Sequence, residues 1–209
     1  MIITGKKNLE EILGQILKND NVFIVGCGGC ATKCDTGSQN AVDEMSAELI
    51  KNNISVAGNM VLETACDVRL AKRDLLKNIK DKNVTVILTL TCGAGVQAVE
   101  KVTDLKIVSG LDSLFVGTTE RIGVYKNFCS NCGECILGRT AGICPKTRCQ
   151  KGLLNGPCGG FIDGKCEVDQ TLDCAWVLIY EKLKKNNKLS EFKTSFIPPK
   201  KYNKQSGKI

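Results

Sequence analysis

The chain has 209 residues, 43% of them hydrophobic, which is enough for a folded core and excludes wholesale disorder. No apolar run reaches the roughly 18 residues needed to span a bilayer, and the N-terminal MIITGKKNLEEILGQILKND is amphipathic and acid-bearing, unlike an export leader. A cytoplasmic location without membrane insertion is therefore expected. The net charge of +7 is local: residues 182–209 hold nine lysines and one glutamate, and the remainder nets −1. Aromatic residues are few (5%) and not interleaved with basic ones, so a solvated or partner-binding tail is expected and no nucleic-acid partner.

Along the chain, Leu9, Ile12, Leu13, Ile16 and Leu17 recur at helical spacing behind Asn8, a residue suited to an N-cap. NVFIVG (21–26) is a short continuous apolar run ending in glycine, the pattern of a buried parallel strand. Val42, Met45, Leu49 and Ile50 mark a second helix, ISVAGNM (54–60) a strand, and Val68, Leu75, Leu76 and Ile79 a third helix. VTVILTL (84–90) is β-branched and reads as another strand, followed by a short helix over 95–103 and a last strand near 113–117. Alternation at this spacing predicts right-handed βαβ units. Residues 1–125 are thus expected to form a Rossmann-like α/β domain on a doubly wound parallel sheet. Residues 126–187 are expected to form a cysteine-rich, metal-organised segment with a terminal helix from about Thr171 to Lys185. Trp176, Ile179, Tyr180 and Leu183 form that helix's apolar stripe, expected to dock onto the domain. Residues 188–209, with Pro198 and Pro199, read as a basic extended tail.

Thirteen cysteines dominate the chemistry. A disulfide framework belongs to exported chains, and neighbours spaced C-x2-C would pair under strain, so metal binding is the expectation. The chain has no histidine, which excludes mixed cysteine–histidine zinc sites, Rieske centres and imidazole catalysis. Cys27 follows the first parallel strand, Cys66 the second and Cys92 the third. With Cys30 and Cys34 they converge on the carboxyl rim of the sheet, where such folds bind ligands. In the same loop Gly26, Gly28 and Ala31 fit a relaxed dinucleotide fingerprint. Cysteines occupy the positions where backbone should approach a pyrophosphate, and Asn59 stands where the ribose-binding acid is expected. A nicotinamide cofactor is accordingly the weaker reading, and the glycines are expected to let the backbone wrap a cluster. Farther on, Cys129-x2-Cys132-x2-Cys135 precedes Cys144-Pro145, a partial match to the ferredoxin pattern with a longer last interval. Cys149, Cys158, Cys166 and Cys174 remain as further candidates. Eight cysteines suit two four-thiolate sites, or one cluster beside a structural zinc. Spacing favours at least one iron–sulfur cluster.

The run CSNCGECILGRTAGICPKTRCQKGLLNGPCGGFIDGKCEVDQTLDCAW resembles the cysteine-rich methylenetetrahydrofolate reductase C-terminal family, or MetV type. The segments V-G-C-G-x-C-A-x-x-C and C-G-A-G-V-Q are similar to that family too, extending the resemblance over about residues 5 to 185. Ser38 departs from it, standing where a second glycine would follow Gly37. The resemblance implies a non-catalytic small subunit of an anaerobic-type 5,10-methylenetetrahydrofolate reductase in one-carbon metabolism, in the methyl branch of acetyl-CoA synthesis. Its partners would be a flavin-bearing TIM-barrel subunit that binds the folate and an electron-donor protein or subunit. Two [4Fe–4S] clusters would relay electrons towards the partner's FMN, with zinc the alternative in one site. Cys27, Cys30, Cys34 and Cys92 are the expected ligands of the first cluster, with Cys66 as alternate. Cys129, Cys132, Cys135 and Cys158 are those of the second, with Cys144 and Cys149 as alternates. The rival reading is a zinc-stabilised structural subunit that positions the catalytic partner without carrying electrons, and a third is a free-standing nucleotide oxidoreductase.

Overall fold

The computed structural model describes residues 1–194 and 196–198, and the chain divides into two compact units, Met1–Lys126 and Asn127–Ile209. In the first, strand β1 (Ile2–Lys6) leads into helix α1 (Leu9–Leu13), strand β2 (Asn21–Cys27), the single turn α2 (Cys30–Lys33) and helix α3 (Gln39–Lys51). Strand β3 (Ser55–Leu62), helix α4 (Val68–Ile79), strand β4 (Val86–Leu90), helix α5 (Gly93–Glu100) and strand β5 (Lys106–Ser109) follow. Strand β6 (Leu111–Val116) and the hairpin of β7 (Thr118–Arg121) and β8 (Val124–Lys126) complete the unit.

A four-stranded parallel sheet of order β3-β2-β4-β5 is the centre of this α/β unit. Its two middle strands are covered on both faces, which demands continuous apolar sequence. Val22, Phe23, Ile24 and Val25 of β2 and Val86, Ile87 and Leu88 of β4 are fully buried. The chain steps outward from β2 to β3, then crosses back over β2 to β4. Right-handed crossovers therefore set α3 on one face and α4 with α5 on the other. Local chemistry fixes the helix starts: the Asn8 side chain accepts from the Glu10 N–H, and Asp67 accepts from the Arg69 and Leu70 N–H groups.

Two expectations change here. The helix predicted across Leu9–Leu17 stops at Leu13, capped by Gly14, and Leu17 lies 62% exposed. The strand predicted near 113–117 does not extend the parallel sheet; it is β6, paired antiparallel with β1, while the short KIVS of β5 takes the sheet edge.

In the second unit α6 (Pro145–Arg148), α7 (Ala175–Lys185) and α8 (Leu189–Thr194) are joined by turns and an isolated bridge pair at Ile162, Lys165 and Asp173. The apolar cluster holding it is its own: Cys174, Trp176, Ile179 and Leu183 are buried against Ile143, Leu153, Leu189 and Phe192. The Trp176 indole donates to the Leu153 carbonyl at 3.0 Å, and its ring meets Phe192 edge-on at 5.7 Å. This packing organises the segment, among whose described residues no metal-holding group of side chains forms, and of the expected stripe only Tyr180 faces outward, at 42% exposure. Residues 189–194, within the stretch expected to be extended, form α8. Residue 195 and the rest of the basic tail, 199–209, lie outside the described residues. Among the described residues no helix is long and apolar enough to cross a membrane.

Candidate functional site

The glycine loop after β2 closes on its own chain. A Cβ on Gly26 would stand 2.5 Å from the Gly37 carbonyl and 2.8 Å from Val42 Cγ2, so only glycine fits there. The Cys27 N–H donates to Gly37 O at 3.0 Å, and the Gly28 N–H to Leu62 O at 2.7 Å. Two of the loop's amides are thus already engaged by backbone, which counts against the nicotinamide reading. Ser38, the departure from the family pattern, is the N-cap of α3: its hydroxyl accepts from the Ala41 N–H at 3.4 Å, a task that glycine could not perform.

The rim cysteines gather unevenly. Cys27 ends β2, Cys30 opens α2, Cys66 lies in the turn after β3, and Cys92 stands at the N-cap position of α5, two residues beyond β4. Cys27, Cys34 and Cys92 are buried, Cys30 is half-buried and Cys66 exposed. Partial burial of its sulfur pushes the Cys66 thiol up, and negative charge on Cys92, Cys27 and Cys30 pushes it further, so these four share one neighbourhood at the switch of strand order. Cys34 Sγ lies 3.9 Å from the Ile2 carbonyl. Backbone amides do reach sulfur here: Gly29 N–H donates to Cys27 Sγ and Ile2 N–H to Cys30 Sγ, each at 3.4 Å.

In the second unit Cys129, Cys132, Cys135 and Cys144 line a cavity of about 260 Å³ together with Phe128 and Lys146. The Cys132 thiol lies below its ordinary value. A backbone hydrogen bond at Glu134 is the main cause, with the Lys146 ammonium, 3.4 Å from the sulfur, and Ser130 adding to it. Cys158 sits elsewhere, its Sγ donating to Glu167 Oε2 at 3.3 Å, while Lys151 pairs with the same carboxylate and holds it below its usual range. Gly160 leaves room for that carboxylate, which a Cβ would strike. Cys149 packs into the apolar cluster, Cys166 is half-buried just after the Ile162–Lys165 bridge, and Cys174 is the N-cap residue of α7.

These placements overturn the cofactor expectation. None of the thirteen cysteines is in a disulfide, and among the described residues no group of three or more cysteine or carboxylate side chains comes together so as to hold a metal ion. Among the described residues neither the two [4Fe–4S] clusters nor the alternative zinc site has a ligand set. Close spacing in sequence put the thiols in the same loops, but their sulfurs take up separate partners: a carbonyl for Cys34, an ammonium for Cys132, a carboxylate for Cys158. Lys146, Lys151 and Glu167, which set the charge around these thiols, escaped the sequence reading because no motif marks them.

Residues 108–203, about half of the chain, match the family described as methylene-tetrahydrofolate reductase C terminal. The match covers the cysteine-rich run that carried the resemblance and stops short of the glycine loop. No curated protein and no solved structure matches the chain.

Proposed function

We propose that this chain is a non-catalytic subunit of a methylenetetrahydrofolate reductase complex, which binds and positions a flavin-bearing catalytic partner. The observation that carries this reading is the family match over residues 108–203. The chemistry of the chain is consistent with it. There is no histidine for acid–base work, and the loop that resembles a nucleotide cradle is closed by its own hydrogen bonds. Folate and flavin are accordingly assigned to the partner, and the contribution of this chain is to hold that partner in its working form.

The test is reconstitution. The full-length chain is mixed with the flavin-bearing subunit, complex formation is followed by light scattering on a sizing column, and methylenetetrahydrofolate reduction is assayed for each protein and for the mixture. The expected result is a stable complex, no reductase turnover by this chain alone, and a higher rate or longer-lived activity for the mixture than for the partner alone. Separate elution with no effect on the partner's rate or lifetime would overturn the reading.

A further inference from the structure

The cluster that closes the second unit leaves one side of α7 unfilled. Pro157, Phe161, Val177, Tyr180 and Phe192, with the buried Trp176, line a cavity of about 320 Å³ whose walls are almost wholly apolar. Phe161 and Tyr180 stand at 39% and 42% exposure, so a costly apolar surface is left open to water. One helical turn beyond Tyr180 the same side of α7 carries Lys184, and Lys185 lies one turn beyond Glu181. Both lysines are exposed, and neither has an ion pair among the described residues.

We infer that this cavity is a docking groove for an acidic peptide segment of the catalytic partner, bearing one aromatic or leucine anchor. The inference rests on the proposed complex and adds where and by what chemistry the partner is gripped. The anchor fills the apolar cavity, as hot-spot side chains do in peptide-binding grooves, and the flanking carboxylates meet Lys184 and Lys185. Charge argues against a second copy of this chain as the occupant. Residues 127–209 hold fourteen lysines and arginines against seven acids, whereas residues 1–126 hold fifteen of each. Two such units face to face would repel. A polar metabolite would find almost no polar wall to orient it, and an apolar one would leave the lysines unused. Glu181 lies on the rim and sets the register: acids belong beside the last turn of α7 and not directly over the cavity.

The single tryptophan of the chain, Trp176, lines the cavity and reports its occupancy. Synthetic peptides tiling the catalytic subunit, with tryptophan replaced by phenylalanine, are titrated against the full-length chain while Trp176 emission is followed. An acidic peptide with an aromatic or leucine residue is expected to shift the emission saturably. Tyr180→Glu abolishes the shift, Tyr180→Phe retains it, and Lys184→Glu with Lys185→Glu weakens binding by about tenfold and removes its salt sensitivity. Far-UV circular dichroism confirms that each variant is folded. If the intact catalytic subunit binds the wild type and Tyr180→Glu equally well, or if only basic or uncharged peptides shift the emission, the groove assignment is wrong and the complex stands. If the intact subunit does not bind at all, the complex itself fails and the groove assignment falls with it.

Discussion

Ile179 lies fully buried in the small cluster of the C-terminal unit, between Trp176 and Leu183 on the inner side of α7. Truncation to alanine removes three carbons from a site where Ile143, Leu153 and Phe192 form the surroundings, and buried Ile→Ala changes cost about 2–5 kcal/mol. The upper half of that range is expected, because the indole hydrogen bond to Leu153 and the edge-on contact with Phe192 hold the neighbours in place and limit collapse into the void. For a unit of this size that corresponds to a fall in melting temperature on the order of ten degrees or more. The assay separates the two units, since Trp176 is the chain's only tryptophan and lies in the second. Its emission should report an early transition in Ile179→Ala, while the far-UV signal of the parallel sheet melts as in the wild type. Ile122, 88% exposed, supplies the control, and its alanine variant should match the wild type. A loss below about 0.5 kcal/mol for Ile179→Ala would refute the conclusion that apolar packing organises this segment.

Other predictions follow from single sites. Gly26→Ala should destabilise the first unit by about 1–3 kcal/mol, because its Cβ would collide with the Gly37 carbonyl. Gly93→Ala, whose Cβ would meet nothing closer than Ser113 Oγ at 3.5 Å, should be neutral or gain about 0.4–1 kcal/mol; urea melts that rank the two the other way would contradict the loop geometry. The Asp67 carboxyl is held at about 2, below its ordinary 3.8, mainly by the Arg69 side chain, with the backbone amides of Arg69 and Leu70 assisting. Its folded value is depressed, so its contribution to stability is complete above 3.8 and is lost as the pH falls towards 2. Melting curves of Asp67→Asn should therefore differ from the wild type at neutral pH and converge with it in strong acid. Cys132, lowered by its Glu134 backbone contact and by Lys146, should alkylate with iodoacetamide at lower pH than Cys66, whose thiol is raised. Lys146→Gln should move the Cys132 profile upward when read peptide by peptide in a mass spectrometer, and an unmoved profile would discount the ammonium.

The middle of the sheet could be read from sequence because covered parallel strands leave a local trace: NVFIVG and VTVILTL are continuous apolar runs of strand length. The β1–β6 pair left none. IITGK reads as the approach to an amphipathic helix until its partner, more than a hundred residues away, is known. The edge strand KIVS is too short and too close to lysine to stand out. For the candidate site, strand periodicity places Cys27, Cys66 and Cys92 just beyond strand ends, but it does not say where a sulfur points. Cys34 faces a backbone carbonyl, and Cys158 faces a carboxylate nine residues on. The C-x2-C spacing constrains distance along the chain only. Convergence of three or more sulfurs on one point depends on φ and ψ between them, and the backbone of the described residues does not supply it.

The antiparallel pairing of β1 with β6 bears on how the first unit is completed during translation. The four parallel strands can assemble as soon as Ser109 has left the ribosome, but β1 has no partner until Leu111–Val116 has emerged. At about 5–20 residues per second, the leading strand waits several seconds with its amides unpaired. Met1 and Gly117, joined by two backbone hydrogen bonds across 116 residues, mark where that wait ends. Strand β1 is thus made long before it can be fastened, and it is exposed to chaperones and proteases for most of the unit's synthesis.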